Sequence, residues 1–192
     1  SSTGNQSKTT HTVAIPAAVQ PGDQLMLFVA SNATGTTTIS TPAGWTRVID
    51  AATSASRHDA FVRTAVAGDA GSTVSTTLGS VAKADLTVAA YRGVTLGASA
   101  GQAGYTTPTV AATPGAWAVS YWADKSASTT AIAPPAGVAI RFQRTATGAG
   151  HLTETLGDVI ATGTTVGGLA ATPAGGAPVA NAAAMTVVLI PS

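Results

Sequence analysis

Residues 21–45, PGDQLMLFVASNATGTTTISTPAGW, return at residues 114–138 as PGAWAVSYWADKSASTTAIAPPAGV, and that recurrence decides the fold. Without a gap, the two stretches share an opening Pro-Gly, an apolar run, a Ser/Thr-rich run and a closing Pro-Ala-Gly, at a constant offset of 114 − 21 = 93. Further on, ADLTVAAY at residues 84–91 matches AAMTVVLI at residues 183–190, where 184 − 85 = 99. The chain is therefore a duplicated unit.

Each Pro-Gly opens a turn, with proline presetting φ and glycine accepting a positive φ after it. Beyond the first turn, residues 24–30 place Leu25, Leu27 and Val29 on one face and Gln24, Met26 and Phe28 on the other. A strand that is apolar on both faces is central in its sheet or covered on both sides. Strand patterns follow at residues 36–40, 45–49, 58–66, 73–78 and 84–91, and one precedes at 12–15. In the second copy they fall at residues 116–123, 127–132, 138–144, 150–156, 159–166 and 183–190. Turn residues separate them and no 3.6-residue apolar stripe persists. The pattern predicts an all-β chain, a two-sheet antiparallel β-sandwich, jelly-roll-like, with pseudo-twofold symmetry from the internal duplication.

The expected layout is a flexible N-terminal linker over residues 1–10 and a single domain over residues 11–192. Within the domain, unit one covers residues 11–93, a Gly/Ala/Ser-rich connector 94–105, and unit two 106–192. One domain is expected because half the chain, built from small side chains without disulfides, would bury a thin core by itself.

Composition narrows the function classes. Only 9% of the 192 residues are charged, against roughly a quarter in an average globular protein. The 45% hydrophobic content nevertheless supplies a core, so disorder is excluded. The net charge is +1 and Lys and Arg are scattered singly, which is not the basic patch of a nucleic-acid binder. The absence of cysteine excludes a disulfide framework and thiolate metal sites. A Ser/Thr-rich, charge-poor chain points to a secreted or extracellular setting, on a cell surface or a virion. The opening SSTGNQSKTT has neither a basic start nor an apolar run, so a mature or excised piece is expected. No apolar run reaches the roughly 18 residues of a membrane helix, and no membrane partner is expected.

The succession VAIPAAVQPGDQLMLFV, TPAGWTRV, RTAVAGDAGSTVSTTL, ADLTVAAYRGV and VSYWADKSAS resembles a β-rich accessory module of secreted actinobacterial multidomain proteins, with relatives in phage tail proteins. The likeness spans nearly the whole chain. It implies a non-catalytic module found beside extracellular enzymes or repeat domains, and it brings no catalytic residues and no cofactor with it.

Several constellations need weighing. Residues 97–101, GASAG, spell a nucleophile elbow, and Asp124 and His151 follow Ser99 in the order α/β-hydrolases use. The elbow needs a strand before it and a helix after it, and this chain offers no helix pattern, so a hydrolase using Ser99 ranks third. His58 and His151 are equivalent at the 93-residue offset, but zinc takes three or four ligands. The expectation is no metal and two polar strand-edge residues. The carboxylates are dispersed and spell no calcium loop, and they promise no ion-pair network, so stability is expected to change little between neutral and mildly acid pH.

The copies differ most in their aromatics. Trp117 stands where the first copy has Gln24, Tyr121 where it has Phe28 and Trp122 where it has Val29, whereas Trp45 aligns with Val138 and fits a packing role. A position that accepts Gln suggests exposure, and exposed rings stack on sugars. The competing assignment for Trp117 is packing over the end of the sandwich under a loop. Trp117, Tyr105, Tyr91 and Arg92 are the ligand-binding candidates, with the site expected around Trp117 and Tyr105 and not around Gln24. The chain reads as an extracellular non-catalytic binding or adhesion module for a polysaccharide or cell-surface glycan, with no enzyme activity and no cofactor. The alternative is a structural virion (phage tail) or cell-surface spacer with protein neighbours.

Overall fold

Alternating apolar side chains on extended backbone build one antiparallel sheet from each copy. The computed structural model describes residues 6–175 and 181–192, so residues 1–5 of the expected linker lie outside the described residues. The first sheet contains β1 (Ser7–Ala14), β2 (Gln24–Ser31), β3 (Thr46–Ala52), β4 (Arg57–Thr64) and β5 (Thr73–Tyr91), in the order β1-β5-β2-β4-β3. The second contains β6 (Val94–Ala103), β8 (Trp117–Lys125), β10 (Ala139–Thr145), β11 (Leu152–Ile160) and β14 (Ala182–Pro191), in the corresponding order β6-β14-β8-β11-β10. Two small ribbons pair β7 (Val110–Ala111) with β12 (Thr165–Val166), and β9 (Ala131–Ala133) with β13 (Thr172–Ala174). The likeness to a jelly roll stops at two facing antiparallel sheets, because the chain completes one sheet before it starts the other.

Two segments differ from the sequence expectation. Ser7 to Thr10 belong to β1 and not to a linker, since they pair with β5. The expected connector is largely β6, paired with β14, and only Arg92 and Gly93 separate β5 from β6. Its glycines sit where neighbours come close. A Cβ on Gly101 would lie 2.5 Å from Ile49 Cγ2 and 3.0 Å from Ala51 Cβ.

As its two apolar faces require, β2 is buried along its length and lies between β5 and β4. One face of each sheet meets the other sheet. Met26, Phe28, Ile49 and Val62 pack there with Val119, Tyr121, Leu156, Met185 and Leu189. Phe28 stacks on Tyr121 with ring centroids 4.8 Å apart and planes 14° apart. The two are equivalent positions (121 − 28 = 93), so the pseudo-twofold relation passes between their rings. The outer faces have separate covers. Leu25, Leu27, Val29 and Phe61 pack with Ile39 and Trp45, which gives Trp45 its packing role, and Trp122 packs with Ile132 and Tyr105.

Strand pairing fixes which residues correspond. β2 pairs Phe28 with Ala60 and Thr87, while β8 pairs Tyr121 with Leu156 and Met185. The offset is therefore 156 − 60 = 96 between β4 and β11 and 185 − 87 = 98 between β5 and β14. His58 consequently matches Glu154 (154 − 58 = 96), and the equivalence with His151 does not hold. The cause is a β10–β11 connection three residues longer than its counterpart, 96 − 93 = 3.

Two outcomes follow from this packing. Gly101→Ala should destabilise the chain by about 1–3 kcal/mol, the cost of overpacking a closed seam, as measured by urea denaturation. The same titrations of the unsubstituted chain should show one cooperative transition, because both sheets contribute to the core between them; two resolved transitions would contradict it.

Candidate functional site

The two rims of the sandwich are not alike. At one rim β3 packs along β6, with Ile49 and Ala51 against Gly101 and the Ser99 hydroxyl donating to the Val48 carbonyl at 3.3 Å. At the other, a cleft of about 610 Å³ opens between β5 and strands β8, β10 and β11, with Ala89, Tyr91, Arg92, Trp117, Arg141 and Phe142 in its walls.

The strand registers show what changed between the rims. Trp117 replaces Gln24 and Arg141 replaces Val48, both at an offset of 93; Asp158 replaces Val62 at 96; and Leu189 in the closed rim stands for Tyr91 in the open one at 98. Both copies carry the same irregularity, a register shift between Arg47 and Ile49 in β3 and between Ile140 and Phe142 in β10. An extra residue in a strand bends it and re-aims a side chain. In the first copy that residue is Val48, packed against the core; in the second it is Arg141.

Arg141 is held from behind. Its Nε and Nη2 donate to Asp158 Oδ2 and Oδ1 at 2.6 and 2.9 Å, and the Tyr91 hydroxyl donates across the sheets to Asp158 Oδ2 at 2.6 Å. Burial, reinforced by the neighbouring carboxylate, pushes the Tyr91 phenol well above its ordinary range and keeps it a donor. The Arg141 guanidinium lies 5.9 Å from the Trp117 ring centre, and Tyr91 and Trp117 meet at 6.3 Å with planes 53° apart. Arg92 repeats the arrangement, with Nε and Nη2 donating to Asp23 Oδ1 and Oδ2 at 2.9 and 3.0 Å. That bond holds the Asp23 carboxyl below its ordinary range, and Asp23 also accepts the Gln20 N–H at 2.8 Å.

Trp117, Tyr91 and Arg92 thus share one cleft, and Tyr105 does not. Tyr105 is buried in the outer core of the second sheet, where its hydroxyl donates to Asp124 Oδ2 at 2.5 Å. Trp117 is half-buried, with part of its surface against the inter-sheet core. Gln24 is buried too. Its amide donates to the Leu25 and Arg63 carbonyls at 3.2 and 3.1 Å, so the position accepts Gln because the amide is satisfied internally, and not through exposure. Nor does the cleft belong to the second copy alone, since Tyr91, Arg92 and Asp23 come from the first. Sequence reasoning passed over Arg141, Asp158 and Phe142. The gap-free offset already placed Arg141 against Val48, a charge for an aliphatic, and that was the available signal.

The remaining constellations have other roles. Ser99 lies within β6, and the described residues contain no helix to complete an elbow. His58 is buried with Nε2 2.8 Å from Ser56 Oγ, and burial, with Arg57 nearby, pushes its pKa down to about 3. The His151 ring nitrogens lie 2.9 and 3.0 Å from the carbonyls of Gly148 and Thr129. Among the described residues no three His, Asp or Glu side chains gather as a metal site.

Further along the seam, Glu154 accepts the hydroxyls of Tyr121 at 2.6 Å and Thr87 at 2.9 Å. Asp85 faces it from the other sheet and pairs with Arg144 at 3.3 Å. Burial, then the Glu154 charge, pushes Asp85 up to about 7, and burial raises Glu154 as well. On the first sheet, Asp59 pairs with Arg57 at 2.9 Å and Arg47 at 3.0 Å, and Asp50 pairs with Arg57 at 2.6 Å. Ion-pair networks therefore exist despite the low charge content. Compared with protein-family models, curated proteins and solved structures, the chain matches none.

The signs of these shifts give a pH test. His58, lowered in the fold, withdraws stability as pH falls from its unfolded value near 6.5 toward about 3. Asp85, raised in the fold, adds stability as pH falls from about 7 toward its unfolded value near 3.8, and Glu154 acts in the same direction. The effects oppose each other through mild acid. Asp85→Asn should raise the urea midpoint at about pH 8, where the like charges are both present, and should make it fall on going to about pH 5.

Proposed function

We propose that the chain is a non-catalytic extracellular binding module whose saccharide ligand, part of a polysaccharide or cell-surface glycan, lies in the cleft beside Trp117. One observation carries this reading. At four corresponding positions the closed rim has Gln24, Val48, Val62 and Leu189, and the open rim has Trp117, Arg141, Asp158 and Tyr91. Packing, with the internal hydrogen bonds of Gln24, accounts for the first set. The second set assembles aromatic rings and oriented charged groups around a concavity, the composition of a small-ligand site. Its volume, about 610 Å³, falls in the range such sites occupy. The resemblance to accessory modules of secreted proteins and the cysteine-free, charge-poor chain support the extracellular setting.

One partly exposed ring supplies about 1–2 kcal/mol of stacking, so a single module binds weakly and avidity in a larger protein raises the whole. The test is retention on insoluble glucans, chitin and bacterial cell walls. Trp117→Ala should weaken retention about 5- to 30-fold while leaving the circular dichroism of the sheets unchanged. Absence of retention on every polysaccharide, together with self-association in solution, would favour the spacer instead.

A further inference from the structure

The cleft presents donors and no spare carboxylate. Asp158 and Asp23 are the carboxylates beside it, and each is engaged by a guanidinium through the Nε–Nη2 edge. That geometry leaves over the Nη1 amine of both Arg141 and Arg92. The carboxylate side chains are 0% and 5% exposed, whereas those of the arginines are 48% and 59% exposed, so each pair turns its positive end outward. The half-buried Trp117 ring lies in the same lining, with the Arg141 guanidinium 5.9 Å from its centre. The apolar part of the lining includes Val19, Ala89, Phe142 and Leu156.

The rest of the surface repeats the sign. Of the eight carboxylates in the chain, Asp23, Asp59, Asp69, Asp85, Asp124, Glu154 and Asp158 are buried and Asp50 alone is exposed. A neutral sugar offers hydroxyls that donate as well as accept, and it profits from free carboxylates, which this cleft lacks. A group that only accepts, and carries charge, fits two outward guanidinium edges better.

We infer that the saccharide bound here is acidic: an oxyanion on the sugar ring, carboxylate or sulfate, is held between Arg141 and Arg92 while an apolar ring face rests toward Trp117. This rests on the binding reading above. Affinity electrophoresis in native gels tests it, with polygalacturonate as the carboxylate probe, carrageenan as the sulfate probe and fully methyl-esterified polygalacturonate as the neutral counterpart. One or both acidic polymers should retard the chain at least about tenfold more strongly than the ester, and added salt should weaken the effect. Arg141→Met and Arg92→Met should each remove most of the retardation. Arg92 stands at the surface, so its variant remains informative if loss of Arg141 disturbs folding. Lys8→Met makes the same change in net charge outside the cleft and should leave retardation unchanged. Equal retardation by the ester would overturn the inference and leave the binding reading standing. An equal loss in Lys8→Met would show general adsorption and overturn it, and no retardation by any polymer would overturn both.

Discussion

The stack of Phe28 on Tyr121 is the contact on which the rest of the arrangement depends. It brings the same position of both copies together at the centre of the inter-sheet core, and aromatic pairing of this kind contributes about 0.5–1.5 kcal/mol beyond burial. Because the pseudo-twofold relation runs through it, whatever one copy sends to one rim the other sends to the opposite rim. A substitution in a single copy therefore changes only one rim. Tyr121 itself begins the asymmetry, since its hydroxyl reaches Glu154, which stands where the first copy has His58.

From that point the polar groups collect on one side. Glu154, Arg144, Asp158 and Arg141 come from the second sheet and Asp85, Thr87 and Tyr91 from the first, and the corresponding places at the other rim are largely aliphatic or small. Buried charges are costly unless paired and hydrogen-bonded. A uniformly apolar seam would close like that between β3 and β6. The open cleft and the buried ion pairs are thus two results of one set of substitutions.

The alternation of Leu25, Leu27 and Val29 with Met26 and Phe28 made β2 legible, and the repeated Pro-Gly turns made the duplication legible, so the two-sheet architecture could be read directly. β6 could not be, because TLGASAGQA has too little apolar amplitude to show a period; its small residues answer to Ile49, Ala51 and Val188 beside them. Matching letters misplaced the register of β14 by one residue, and a longer β10–β11 connection misplaced His151, since sequence similarity does not weigh which face a side chain occupies. Of the site, the aromatic at position 117 stood out by type. Tyr105 was drawn in by the supposed connector, and Asp158 became visible only when strand pairing set it against Val62.

The link between the copies is two residues long, Arg92 and Gly93, with Gly93 at φ 65° and its carbonyl accepting the N–H of Ser192 at 2.9 Å. An endopeptidase binds several consecutive residues in extended form, and here those residues are already committed to β5 on one side and β6 on the other. The repeats cannot be parted by trimming at a seam, as beads on a string can. Cleavage there would require the end of β5 and the start of β6 to leave their sheets first, so the junction between the copies is guarded by the strands that it joins.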